Sequence, residues 1–360
     1  MKSSTGQYFI GLDHIRALAA YMVYNWHFTH FNTNHYDPPP AYPLSILSEG
    51  HTGVALFMVL SGYLFAKLTF DKKIKYGSFL WNRFLRLAPL LFLVFAIVGV
   101  VRYVTDQDMG IFTKEILYGF IHPTWPNGGW SITAEFHFYL LLPLLLFVAR
   151  KNKMLLFLVL GVALFARLLL YQKLGQIHTL SYWTIVGRID QFLLGIAAYY
   201  FREHIRGRHL LALLVFMGFA LFYRYFDLQG GFMENPSYPS PSSLWIYLPT
   251  MEGLAYAFLI AWYDQSFRHS NGPISRFIAA IGTYSYSIYL LHFFIFFKLA
   301  QSINDHLITI DGFYRAWWVS TLSFSVMIPL GYISYRFFES WFLRYRTRYL
   351  IQPDKQQDTA

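Results

Sequence analysis

The chain has 360 residues, of which 21% are aromatic and only 13% are charged. Soluble domains carry about 25% charged residues, so this chain has too little charged surface to cover a water-soluble globule of its length. The net charge of +10 would suggest nucleic acid in a soluble protein, but the basic residues stand mainly in short segments between apolar runs and indicate membrane topology. The absence of cysteine excludes disulfides, cysteine-ligated metal sites and a cysteine nucleophile.

About ten apolar segments are long enough to cross the hydrocarbon core of a bilayer, which takes roughly 20 residues of helix. They are residues 9–29, 52–69, 84–104, 131–149, 154–172, 184–201, 209–226, 244–263, 277–299 and 315–338. Backbone groups find no water inside a membrane, and the chain lacks the two-residue alternation of a membrane β-barrel. The sequence therefore predicts an all-α polytopic membrane protein with about ten transmembrane helices.

Lysine and arginine are concentrated in every second connection between these segments, as expected for cytoplasmic loops. The basic connections and the tail contain Lys72, Lys73, Lys75, Arg83, Arg86, Arg150, Lys151, Lys153, Arg202, Arg206, Arg208, Arg268, Arg276, Arg344, Arg346, Arg348 and Lys355. The pattern predicts that both termini are cytoplasmic. We expect residues 1–345 to form a single membrane domain and residues 346–360 to form a short, disordered cytoplasmic tail.

The first apolar segment contains three ionisable residues that bear on function, Asp13, Arg16 and His27. Ionisable groups inside a membrane span are costly, so each is by default a candidate functional residue. The eleven-residue step from Arg16 to His27 turns a helix by about 1100° and rises about 16 Å, which places both side chains on one face. The alternative is that Asp13 and Arg16 form an anchoring pair and His27 is an ordinary interfacial histidine.

Several ordered sequence blocks make the chain similar to a known family. The run Leu12-Asp13-His14-Ile15-Arg16 followed by His27 resembles the first helix of the membrane acyltransferase-3 family, in which an arginine, ten residues and a histidine stand in order. Further blocks follow in the family order at residues 53–64, 82–89, 130–139, 188–195 and 282–292. The last family signature, a glutamate before Arg-Pro, appears here only as Phe338-Glu339-Ser340-Trp341.

This resemblance implies a bacterial sugar O-acetyltransferase, an enzyme of the inner (plasma) membrane that crosses it several times. It implies that acetyl-CoA is the donor cosubstrate. The implied acceptor is a hydroxyl of a cell-surface carbohydrate, such as lipopolysaccharide or O-antigen, capsule or another lipid-linked glycan. We expect the partners to be acetyl-CoA, the carbohydrate and membrane lipids, with no metal and no nucleic acid.

Donor binding is expected at arginines on the cytoplasmic side. Arg83 and Arg86 lie three residues apart at the predicted start of the third helix, where they can contact donor phosphates. Arg16 lies deeper and can hold the pyrophosphate or the pantetheine end. The alternative for Arg83 and Arg86 is positive-inside anchoring alone.

Catalysis is expected in the outer half of the membrane. His27 is the candidate general base for the attacking hydroxyl, and Glu135 can orient it or stabilise its cation. Acceptor-binding or supporting roles are expected for Asp13, Trp130, Ser131, Tyr139, Arg188, Asp190, Glu252, Tyr286 and His292. For several of these a structural role is the alternative: the aromatic residues as interfacial anchors, His292 as a hydrogen-bonded buried histidine, and Glu252 as a partner of Arg167.

Two other functions fit the same composition. A proton-coupled transporter or flippase of a glycan or small anion would also place arginine, glutamate and histidine inside spans, although no inverted repeat is visible. A membrane-bound acyltransferase of the unrelated lipid- or protein-acylating type also uses an intramembrane histidine. The early position of His27 and its pairing with Arg16 favour the O-acetyltransferase.

Overall fold

The computed structural model describes residues 7–30, 38–70 and 72–351. These residues are mostly helical, with two strands of two residues each, so the predicted all-α class is confirmed. The helices are α1 Ile10–Thr29, α2 Ser45–Ser48, α3 Gly53–Thr69, α4 Tyr76–Val104, α5 Met109–Tyr118, α6 Trp130–Lys151, α7 Leu155–Leu174, α8 His178–Trp183, α9 Ile185–Tyr200, α10 Arg202–Ile205, α11 His209–Leu228, α12 Leu244–Ser266, α13 Pro273–Thr283, α14 Ser285–Leu291, α15 Phe296–His306, α16 Phe313–Ile333 and α17 Ser340–Phe342. The strands are β1 Lys73–Ile74 and β2 Leu350–Ile351, and a π-helix covers Ser334–Glu339.

All ten predicted segments fall on helices, but fewer are long and apolar enough to cross a membrane unaided. Within the described ranges, seven helical runs pass that test: Gly50–Thr69, Tyr76–Val104, Trp130–Lys151, Leu155–Leu174, His209–Leu228, Leu244–Ser266 and Phe313–Tyr345. The pair Pro273–Thr283 and Ser285–Phe294, bent by 49°, makes an eighth if it forms one span. The protein is therefore polytopic, and the count of about ten stays a prediction.

The two remaining predicted spans, α1 and α9, fail the test of length and hydropathy for separate reasons. Helix α1 has 20 residues, but Asp13, Arg16 and His27 lower its hydropathy. Helix α9 has 16 residues, or about 24 Å of helix. It packs against α3 so closely that a Cβ atom at Gly62 or Gly195 would overlap the backbone of the partner helix. A helix enclosed by other helices in this way need not match the thickness of the lipid.

Two local differences from the sequence prediction affect the site. Helix α4 begins at Tyr76, eight residues before the predicted segment, so Arg83 and Arg86 lie in its second and third turns rather than at its start. The ninth predicted segment is broken between α13 and α14. There Gly282 packs on the backbone of α1, where any side chain would overlap the carbonyl of Asp13.

Several basic connections meet at one end of the bundle, which we call the basic end. Arg150, at the end of α6, donates to the carbonyls of Thr69, the last residue of α3, and of Lys72, each at 2.7 Å. The amide of Gly207, between α10 and α11, donates to Ser266 Oγ at the end of α12 (2.9 Å). These contacts fit the predicted clustering of basic loops on one side of the membrane.

The C-terminal segment also lies at the basic end. Residues 346–351, which the sequence analysis placed in the tail, continue the fold as far as β2, which pairs antiparallel with β1. The rest of the predicted tail, residues 352–360, lies outside the described residues.

Candidate active site

A cavity of about 850 Å³ lies beside α1, α3, α4, α6, α13 and α14. One face of α3 runs along it and contributes Val54, Phe57, Met58, Ser61, Leu64, Phe65 and Leu68. From Val54 to Leu68 the helix rises about 21 Å, because each residue adds about 1.5 Å. The cavity is therefore elongated along the helix, and it suits a long, narrow ligand.

Arginine is the main charged residue of this cavity, which we call the arginine cavity. Its cationic lining residues are Arg16, Arg83, Arg86, Arg276 and Arg346. Its anionic lining residues are Asp13 and Glu135. Because cations outnumber anions along its walls, their mutual repulsion favours a ligand that carries several negative charges.

Three of these arginines are already engaged within the protein, among them Arg346, whose Nε donates to the carbonyl of Leu343 (3.2 Å). Arg16 forms an ion pair with Asp13, as the sequence spacing allowed. Arg86 Nη1 donates to Glu339 Oε2 (2.8 Å) and Arg86 Nη2 donates to the carbonyl of Thr283 (3.3 Å). Glu339, the glutamate of the incomplete final signature, thus anchors Arg86. Part of the hydrogen-bonding capacity expected to serve donor phosphates is directed at this carboxylate instead.

Arg83 is held mainly by aromatic rings. Its guanidinium lies 5.3 Å from the ring of Phe65 and 5.7 Å from that of Phe79, in cation–π geometry. Arg83 Nε is buried without a hydrogen-bond partner within the described part of the chain. The guanidinium also lies within hydrogen-bonding reach of Tyr139, so part of its planar fork is left for an oxyanion.

Glu135 lies five residues into α6 and lines the arginine cavity. It accepts a hydrogen bond from Ser61 Oγ (3.4 Å) and a short one from Tyr139 Oη. The hydrogen-bond partners found for the His27 ring in the described structure are Val23 and His292. The structure therefore places Glu135 with Ser61 and Tyr139, and it pairs His27 with a second histidine.

The His27–His292 pair has a defined proton arrangement. His27 Nδ1 lies 2.9 Å from the carbonyl oxygen of Val23, and His292 Nδ1 lies 3.2 Å from that of Ile288. Carbonyl oxygens only accept, so both Nδ1 atoms carry the hydrogen. His292 Nε2, 3.2 Å from His27 Nδ1, is then an acceptor. This assignment leaves the lone pair on His27 Nε2, the atom that a general base needs.

The histidine pair stands just beyond the end of the arginine cavity rather than in its wall. Tyr289, which lines the cavity, has its ring 6.1 Å from that of His292. Tyr289 Oη and Ser131 Oγ both donate to the carbonyl of Gly128, at 3.1 and 3.0 Å. Ser131 and Tyr289 therefore form the polar end of the cavity nearest the histidines.

A second group of predicted site residues lies in the helix core, away from the arginine cavity. Arg167 pairs with Asp190, and Thr250 Oγ1 bonds the same carboxylate. Glu252 accepts from Tyr223 Oη (2.6 Å) and Gln191 Nε2 (2.8 Å) and lies 3.7 Å from Arg188 Nη1. The structural alternative for Glu252, a pairing with Arg167, is not formed, because Asp190 pairs with Arg167 instead.

The predicted aromatic residues are divided between the two regions. Tyr139 and Tyr286 line the arginine cavity, and Tyr286 Oη donates to the carbonyl of Leu87 (2.6 Å). Trp130 is 6% exposed and packs instead among Tyr182, Trp183 and Arg188 in the core.

Sequence reasoning missed the donor-site candidates outside the motif blocks. Arg276 and Arg346 were interpreted as topology signals, and Tyr335 and Tyr349 were not singled out, yet all four line the arginine cavity. Basic residues in a membrane protein already have an explanation in topology, so their charge alone did not distinguish them.

No group of three or more histidine, aspartate or glutamate side chains is arranged to hold a metal ion within residues 7–30, 38–70 and 72–351.

Comparison with known proteins gives one result at the level of family. A family model described as an acyltransferase domain matches residues 9–336, which include α1 to α16 and most of the arginine cavity. Searches of curated proteins and of solved structures returned no match. The chain therefore belongs to the acyltransferase-3 family and is a membrane acyltransferase.

Proposed function

We propose that the protein transfers an acetyl group from acetyl-CoA to a hydroxyl group of a cell-surface carbohydrate, at the bacterial inner membrane. The observation that carries the proposal is the arginine cavity. Five arginines at or near the basic end and an apolar face along α3 suit a donor with a polyphosphate head and a long neutral arm. The family match favours this acyl transfer over the transporter hypothesis.

The basic end is the cytoplasmic end in this proposal, because cytoplasmic loops carry the excess of lysine and arginine. Acetyl-CoA enters there with its phosphates among Arg16, Arg83, Arg276 and Arg346. Its pantetheine arm extends along α3 toward Ser131 and Tyr289. The thioester then lies near the His27–His292 pair, and the carbohydrate approaches from the opposite side of the membrane.

The chemistry follows from the proton arrangement of the two histidines. His27 Nε2 accepts the proton of the attacking hydroxyl as its oxygen bonds to the thioester carbonyl carbon. The tetrahedral intermediate collapses, the carbon–sulfur bond breaks, and the thiolate leaves as coenzyme A after taking up the proton. His292 holds the His27 ring through His27 Nδ1 and is a positioning residue.

Acetyl transfer in membranes with equal amounts of each variant tests this proposal. General-base catalysis contributes about 10²- to 10⁴-fold, so we expect His27→Gln to lose activity by that factor while acetyl-CoA binding is retained. His30→Gln is the matched control, because His30 directly follows the last residue of α1, three residues after His27, and its Nδ1 likewise contacts a helix carbonyl, that of Trp26 (2.8 Å). Activity in His27→Gln equal to that of the control would remove His27 from the mechanism.

Mass spectrometry and NMR of the surface glycan, taken from cells with and without the protein, test the class of acceptor. An acetyl group that disappears from a sugar hydroxyl supports the proposal. An unchanged glycan, together with acetyl transfer to a lipid or a protein, would contradict it.

A further inference from the structure

The C-terminal segment crosses the basic end beside the arginine cavity. After α17 the chain forms a short 3₁₀ turn at Leu343–Tyr345, becomes extended at Arg346 and continues to β2, where the described residues end. We call residues 343–351 the C-terminal strap. The strap lies beyond residue 336, where the family match ends.

The strap is fixed to α4 and to the chain before it by backbone pairing and by one buried side chain. Lys73 and Ile74 pair with Ile351 and Leu350, and the amide of Lys75 donates to the carbonyl of Tyr349 (2.8 Å). Asn82 is fully buried and bonds both backbone groups of a single strap residue. Its Nδ2 donates to the carbonyl of Thr347 (2.7 Å), and its Oδ1 accepts from the amide of Thr347 (2.9 Å).

The inner side of the strap contributes Leu343, Arg346 and Tyr349 to the arginine cavity. Tyr349 is 1% exposed and packs edge-on against Phe79 at a ring distance of 5.6 Å. The side chains of Arg344 and Arg348 are exposed and do not line the cavity. Of the three strap arginines, the structure therefore selects Arg346 as the one that faces a ligand.

Arg346 stands in a field of like charge. Burial and the guanidinium groups of Arg86 and Arg83 lower the pKa of Arg346 to about 10, so it remains charged near neutral pH. Three guanidinium groups close enough to repel one another are stabilised by an anion that they share. A phosphate group with two negative charges meets that requirement.

We propose that Arg346 binds the 3′-phosphate of the CoA donor, and that Asn82 is a positioning residue that holds Arg346 in place through Thr347. The inference rests on the proposed function. The direction of the donor supports it, because a thioester placed near Ser131 and Tyr289 puts the nucleotide end of the donor at the strap. The 3′-phosphate is the charged group of the nucleotide furthest from the thioester.

Binding of acetyl-CoA and of acetyl-dephospho-CoA, which lacks the 3′-phosphate, to the full-length protein in detergent tests the proposal. A hydrogen-bonded charged group changes affinity by about 10- to 100-fold, so the wild type should prefer acetyl-CoA by that factor. In Arg346→Ala and Arg346→Gln the preference should fall toward one. Arg348→Ala, which removes the same charge from the outer side of the strap, should keep the wild-type preference.

The preference is a ratio measured on one preparation, so a partly unfolded variant still gives a valid result. An unchanged preference in Arg346→Ala and Arg346→Gln would overturn the inference. A wild type that binds both ligands equally well would also overturn it and leave the proposed function intact. A wild type that binds neither ligand would remove the proposed donor together with the inference.

Asn82→Asp tests the positioning role, because it keeps the size of the side chain but turns an oxygen toward the carbonyl of Thr347. We expect KM for acetyl-CoA to rise about 10-fold while kcat at saturating donor is retained. If Asn82 acts through Arg346, Asn82→Asp combined with Arg346→Ala should be no worse than Arg346→Ala alone. Additive losses, or a fall in kcat with KM unchanged, would contradict the role.

Discussion

The arginine cavity and the buried core around α9 both contain charged side chains, but the balance of opposite charges differs between them. In the core, Arg167 and Asp190 are fully buried and bond each other, and Glu252 is held by Tyr223, Gln191 and Arg188. In the cavity, five arginines face two carboxylates, so the lining carries an excess of positive charge. Removing one partner of a charge pair in the core is costly, whereas an excess of positive charge along a cavity favours an anionic ligand.

Asp190→Asn should give the largest effect, and the effect should be on stability. It leaves the guanidinium of Arg167 buried without its counter-charge, which costs about 3–5 kcal/mol. We expect a lower melting temperature in detergent and less folded protein in the membrane. A variant that melts with the wild type would show that this pair is not what stabilises the core.

Arg83→Ala should instead reduce ligand binding and leave stability nearly unchanged. Loss of a charged hydrogen bond to a phosphate corresponds to about 1.5–3 kcal/mol, or about 10- to 100-fold in acetyl-CoA affinity. Arg83→Lys should restore only part, because an ammonium group lacks the planar fork. Calorimetric titration of both variants with acetyl-CoA measures this, and unchanged affinity in Arg83→Ala would remove Arg83 from the donor site.

Glu339→Gln should have an intermediate effect on stability and on binding, because Arg86 both lines the cavity and is paired within the fold. The side chain of Glu339 is 2% exposed, so the loss of its charge should cost about 1–2 kcal/mol of stability. We expect a smaller loss of acetyl-CoA affinity than in Arg83→Ala. A melting temperature equal to that of the wild type would mean that Glu339 does not anchor Arg86.

Asp311→Asn should have the smallest effect on stability and on acetyl-CoA affinity. Asp311 pairs with Arg315 at 3.0 Å, and both side chains are at least half exposed. Exposed pairs contribute about 0.2–1 kcal/mol, so the melting temperature and acetyl-CoA affinity should both change little. A loss of stability as large as that of Asp190→Asn would show that burial is not what separates the two classes.

Much of the candidate site was predictable from motif positions. Arg16, Arg83, Glu135 and Tyr139 were singled out in the sequence, and the structure brings them to one cavity. Arg346 was not singled out, because the strap is a non-local feature. It depends on Asn82 bonding Thr347, 265 residues away along the chain.

The amino-acid sequence was sufficient to predict the all-α membrane class, because scarce charge and long apolar runs permit few other structures. It also determined the family, because ordered blocks along most of the chain are specific as a set. The pairing of ionisable residues became known from the folded structure: His27 with His292, Arg167 with Asp190, and Arg86 with Glu339. The physical reason is that helical periodicity fixes the face on which a side chain lies, whereas its partner depends on which helix packs against that face.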